Sequence, residues 1–214
     1  MRPPVPRHIS RRPAVWIGLL LAVACSGDGM PTDPFGPAEQ PASALNIVAA
    51  APDAAPPEAA SVSFYAYKDR SSEGRIRLAD QPGRGRGNDY LRLTIPKEAL
   101  LAHADGSPFA TRDSVLITIS IVDPQRILFQ MEPAGLRFDP SVMPELRLRY
   151  DVAEDDLDRN GRHDAQDDSI EAHLGIWRQP DPASPFTRLE SVVTRSNHEV
   201  RASLPGFSRY AIAY

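Results

Sequence analysis

Residues 156–167, D-L-D-R-N-G-R-H-D-A-Q-D, set oxygen-bearing side chains at a spacing that can enclose a cation. Counted from Asp156 as position one, Asp158, Asn160, Asp164 and Asp167 fall at positions three, five, nine and twelve, and Gly161 takes the sixth. In a twelve-residue calcium loop these positions supply oxygens, the sixth must turn sharply, and the seventh donates its backbone carbonyl. Here the seventh residue is Arg162. Every donor is a hard oxygen, and there are more of them than magnesium usually takes from protein, so one calcium ion is the expected ligand. His163 is a lone imidazole among carboxylates, which makes a poor site for a softer transition metal.

The pattern D-x-D-x-N-G-x-x-D-x-x-D resembles EF-hand and thrombospondin-type calcium repeats. It departs from the EF-hand at position twelve, where Asp167 is shorter than the usual glutamate, and at position eight, where His163 replaces an aliphatic residue. The flanking runs LRLRYDV and HLGIW read as strands, so a helix–loop–helix pair is not expected. Without an ion, the same acids would face water in a charged excursion between two strands. With Asp155 and Asp168 adjoining the frame, mutual repulsion is what a divalent ion would remove. The expected role is therefore structural, with affinity of roughly 10⁻⁴ to 10⁻³ M, the range of extracellular modules.

Little else in the chain is arranged for chemistry. There is no G-x-S-x-G elbow, no H-E-x-x-H and no second cysteine. The run GRGRG, residues 83–87, could cradle an anion through Arg84 and Arg86, but such runs are more often loop tips. His103, His173 and His198 are scattered. The expectation is a non-catalytic protein; the alternative is an enzyme whose site is assembled from residues distant in sequence.

The N-terminus supplies an address. Residues 1–12 carry four arginines and no acid, and an apolar run follows that ends at Cys25, the only cysteine. A basic start, a short apolar stretch and small residues before the cut make a secretory signal over 1–24. The apolar run is too short for a membrane span, which needs about 20 residues. L-A-V-A-C resembles the bacterial lipobox, with Ala22 and Leu21 in slightly shifted places, which implies lipid attachment at Cys25 and a mature chain anchored in a membrane. Ser26 after the cysteine would by that resemblance favour the outer membrane or cell surface. The lone cysteine of a secreted chain is then accounted for. Removing the signal leaves 20 basic against 28 acidic residues, a balance that disfavours nucleic acid as a partner. An envelope protein or a glycan remains the expected partner class.

The elements that must position the acidic loop come next along the chain. Residues 25–60, rich in Pro and Ala, show no sustained period and read as a disordered tether, roughly 30 Å in average reach. Within it A-L-N-I-V-A-A-A, residues 44–51, is not expected to form a strand. From Ser61 the pattern changes. SVSFYAYK, YLRLTI, DSVLITISIVD, ELRLRY, HLGIW, LESVV, EVRASL and RYAIAY alternate apolar and polar residues and are bounded by Gly, Pro, Asp and Asn. Eight to ten strands, with no helix beyond a turn at PKEALLA, predict one all-β domain over 61–214: an antiparallel β-sandwich with the acidic loop inserted between two strands.

The order LRLTIPKEALL, then MEPAGLRFDPSVMPELRLRYD, then LPGFSRYAIAY resembles the β-sandwich domain shared by ankyrins, netrin receptors and tight-junction scaffolds, over residues 90–214. Some members of that family cut their own backbone between Phe and Ser of an H-F-S element, with the histidine as base. The matching positions here are Gly206, Phe207 and Ser208. Glycine cannot accept a proton, so the resemblance implies no self-cleavage unless His198 or another histidine folds in.

Overall fold

The computed structural model describes residues 38–80 and 88–214. The signal sequence, Cys25, the beginning of the tether, and Arg84 and Arg86 lie outside the described residues. In chain order the strands are β1 (Glu39–Gln40), β2 (Ser61–Tyr67), β3 (Ser72–Arg77), β4 (Asp89–Ile95), β5 (Leu100–Ala102), β6 (Ser114–Asp123) and β7 (Leu128–Glu132). There follow β8 (Arg137–Phe138), β9 (Glu145–Arg149), the helix α1 (Ala165–Ala172), β10 (Gly175–Gln179), β11 (Phe186–Arg188), β12 (Ser191–Thr194), β13 (Glu199–Ser203) and β14 (Arg209–Ala213).

The period-two runs dictate this arrangement. One sheet runs β1-β11-β10-β14-β7-β6-β2, a second runs β12-β13-β9-β4-β3, and β5 pairs with β8. Neighbours are antiparallel throughout; Leu91 of β4 faces Leu148 of β9, and Ile119 of β6 faces Met131 of β7. Alternate side chains bury themselves between the sheets: Leu91, Leu93 and Leu146 from one, Ile117, Phe129 and Ile212 from the other, in one apolar cluster. Each such burial contributes about 1.5 to 3 kcal/mol, which is why the alternation fixes the inward face. The fold is the antiparallel β-sandwich that the alternation predicts.

Among the described residues from Ser61 onward, thirteen strands replace the expected eight to ten, because several are too short or too polar to show a period. In β3, S-E-G-R-I-R has one large apolar residue, and Gly74 lies beneath the Phe64 ring, where a Cβ would collide with it. PKEALLA makes a turn at 97–98 and then enters β5.

Two expectations are corrected. The first is the tether. Over residues 38–60 the chain packs on the sandwich, so the folded unit reaches back to Ala38 rather than starting at Ser61. The Val48 N–H donates to the Ile212 carbonyl at 2.9 Å, and Ile127 donates to Val48 at 3.0 Å. Leu45 joins Trp177, Phe186, Ala211 and Ala213 in a second apolar cluster. Trp177, Ala211 and Ala213 belong to the face of β10 and β14 turned away from the main core, with Phe186 of β11 beside them and Leu45 packed on top. Small alanines alternate along β14, so this face is apolar on a strand whose other face is already buried, and only an added layer of chain keeps water from it. Residues 44–51 provide that layer through single bridges, Ile47 to Ala213 and Ala49 to Arg126, and not through a regular strand. The second correction is α1, a helix where the sequence pattern promised only loop and strand.

Candidate metal centre

The acidic loop leaves β9 after Arg149 and ends in α1, so an extended element enters it and a helix leaves it. The local fold follows from short acidic side chains capturing nearby backbone N–H groups, the habit of Asp and Asn in turns. Asp156 accepts from Asn160 N at 3.0 Å and from Gly161 N at 2.7 Å. Asp158 accepts from Asn160 N and from Asn160 Nδ2, each at 3.0 Å. Asn160 Oδ1 in turn accepts from the Arg162 N–H at 3.0 Å. Gly161 has φ +88°, the left-handed backbone that position six requires, and Arg159 shares that region at φ +58°.

Asp167 closes the loop. Its side chain is fully buried. Oδ1 accepts from Leu157 N at 2.7 Å and Asp158 N at 3.2 Å, and Oδ2 accepts from Asp164 N at 2.8 Å. These bonds hold its carboxyl below the usual carboxylate range, led by the Asp164 N–H, against the opposing effect of burial. Asp164 is the N-cap of α1: its Oδ1 accepts from Gln166 N at 2.8 Å, and together with Asp167 it makes a reciprocal capping box. The Tyr214 hydroxyl donates to the Leu157 carbonyl and ties the loop to the end of the chain.

The six expected ligands therefore divide. Asp156, Asp158 and Asp167 converge, each offering an oxygen within 4.8 Å of the others. Two oxygens on one calcium ion bonded at 2.3–2.6 Å can lie at most about 5 Å apart, so the three carboxylates fit a shared ion. Asn160 sits beside them with Nδ2 on Asp158 and, at 3.4 Å, on Asp164. Asp164 stands outside the convergent trio and serves the helix end. Arg162 is exposed, its N–H engaged with Asn160. At Asp167, both lone pairs of Oδ1 are taken by N–H groups, which leaves Oδ2 as the oxygen with room for a cation. Hard anionic oxygens suit a hard cation, and this trio could hold one.

Around the loop, Tyr150, Glu154, Asp155, His163, Glu171 and His198 line a cavity of 380 Å³. Tyr150 OH donates to Glu171 at 2.9 Å, and Arg195 pairs with both Glu171 and Asp168 at 2.7 Å. His163 Nδ1 lies 3.1 Å from the Asp155 carbonyl, and that contact, aided by the surrounding acids, raises its pKa above the ordinary histidine value.

The remaining candidates are dispersed. His103 stacks on Phe109 with ring centroids 3.7 Å apart, His173 Nδ1 lies 2.6 Å from the Ser169 carbonyl, and His198 is exposed against Tyr150. Ser208 is buried and its Oγ accepts from Arg178 Nε at 3.0 Å, a donor that cannot take the serine's proton. Tyr210 OH donates to the Gly206 carbonyl four residues back, the arrangement called a tyrosine corner in β-sandwiches. Among the described residues no helix is long and apolar enough to cross a membrane. In comparisons with known proteins, no family model, no curated protein and no solved structure matches this chain.

Proposed function

We propose that this chain is a lipid-anchored envelope protein that presents a calcium-stabilised, non-catalytic β-sandwich as a binding or scaffold module. The observation that carries the calcium reading is the convergence of Asp156, Asp158 and Asp167 within 4.8 Å, on a loop whose own N–H groups already hold those carboxylates in place. A bound calcium ion would supply positive charge to the convergent carboxylates and fasten the loop between β9 and α1. Asp156, Asp158 and Asp167 would hold it, with Asn160 beside them. The anchoring reading rests on the basic-apolar start and the L-A-V-A-C motif at Cys25.

Thermal unfolding in millimolar calcium and in chelator tests the first reading. Calcium is expected to raise the melting temperature, and Asp158→Ala to abolish the increase. Superimposed melting curves of the unsubstituted chain in the two conditions would sink it. Lipid attachment is tested separately: cells expressing the full chain should incorporate labelled palmitate into it, and Cys25→Ser should remove the label. Equal labelling of the two chains would refute the anchor.

A further inference from the structure

A second cavity borders the acidic loop at Arg159 but includes none of the acidic trio in its lining. It encloses 610 Å³ between the Ala/Pro-rich stretch 49–57, the β6–β7 turn and Val152, within the usual size range of small-molecule sites. The stretch is held across this end of the sandwich by Ala50 N donating to Gln125 at 3.0 Å and Ala51 N donating to Val152 at 2.8 Å.

A β-bulge turns one polar side chain toward this space. Ile76 pairs with Leu91 and Arg77 with Asp89, so β4 carries one residue more than β3 opposite it, and that residue is Tyr90. The bulge re-aims the side chain, and Tyr90 and Leu91, neighbours in sequence, are both buried. Tyr90 is 3% exposed, lines the cavity, and packs edge-on against Phe129 with ring centroids 5.1 Å apart. No hydrogen bond to its hydroxyl is seen among the described residues, and that oxygen is not one of the fully buried atoms left without a partner, so it stays open to the cavity. Burial, with a smaller effect from Asp151, raises its pKa, so it stays protonated and able to donate. Asp151 is itself balanced by Arg149 at 3.2 Å and Asn88 at 3.3 Å.

Positive charge reaches the same cavity from Arg126 and Arg159. Arg126 is loosely paired with Asp123 at 3.4 Å, while Arg159 is exposed and has no ion pair among the described residues. We propose that this cavity is a binding site for a small amphipathic carboxylate. Its apolar body would lie among the Ala and Pro side chains, an oxygen would accept from Tyr90, and the charge would be met by Arg159 and Arg126. The site shares Arg159 with the acidic loop but uses none of the three convergent carboxylates, and the titration is run in chelator so that its outcome does not depend on the calcium reading.

Octanoate and 1-octanol, titrated into the ¹⁵N-labelled full chain and followed by amide chemical shifts, test it. Octanoate should give saturable shifts confined to residues 49–57, the Tyr90 region and the β6–β7 turn. Tyr90→Phe, which keeps the ring on Phe129, should weaken octanoate about tenfold. Arg159→Gln, an exposed substitution, should weaken octanoate about fivefold and leave octanol unchanged. Shifts that fail to saturate, shifts centred elsewhere, or an octanoate affinity indifferent to both substitutions would overturn the proposal.

Discussion

Asp167 carries two duties at once. It offers an oxygen to the convergent trio, and it accepts three backbone N–H groups that join the start of the loop to the start of α1. The second duty needs no ion, which separates its substitution from that of Asp158. Asp167→Ala should lower the melting temperature by roughly 5 °C already in chelator, where a buried set of donors loses its acceptor, and by more in calcium, where the ion's contribution is lost as well. The acid-side pH dependence has a fixed sign. The folded-state pKa of Asp167 is depressed below its ordinary 3.8, so its contribution is present above that value and is lost as pH falls through the lower, folded one. Replacing it by asparagine should flatten the acid limb of stability against pH, measured by urea unfolding below pH 5; an acid limb equally steep in both chains would contradict this. These bonds could not be read from the residue types, because an aspartate at position twelve looks the same whether it faces an ion or three amides.

At the scale of elements, the same letters spell two things. D-A-Q-D, residues 164–167, closes the calcium frame, and it is also a capping box placed before S-I-E-A. The spacing points to metal ligands, and the helix leaves no periodic signal because α1 buries only Ile170 and Asp167 and so has almost no apolar stripe. Its start is set by the cap and not by packing. Asp164→Ala should therefore cost about 1 kcal/mol in urea unfolding, the usual value of an N-cap. If Asp164 were an indispensable ion ligand, the loss would instead depend on calcium. The strands show the opposite situation. β4, β6 and β9 were legible from alternation alone, while β3 was hidden because a glycine under Phe64 takes the place of an apolar side chain. The bulge at Tyr90 was likewise invisible, since one extra residue on a strand is defined only by its partner.

For the molecule as a whole, the decisive feature is the layer added by residues 38–60. Leu45 is 7% exposed, against Trp177 and Phe186 on the face of the seven-stranded sheet turned from the main core. Leu45→Ala should cost about 2 to 3 kcal/mol of unfolding free energy, within the range for buried leucines. An unchanged denaturation midpoint would return this segment to the status of a tether. The sequence by itself determined the antiparallel sandwich, most of its longer strands and the acidic loop, because a period of two and a twelve-residue frame are local properties of the chain. Only the tertiary structure decided three other matters: that a Pro/Ala-rich stretch packs, which of six oxygen-donor positions meet, and that a tyrosine with a buried ring leaves its hydroxyl open to a cavity. Each depends on what a distant segment places opposite, and no local spacing records that.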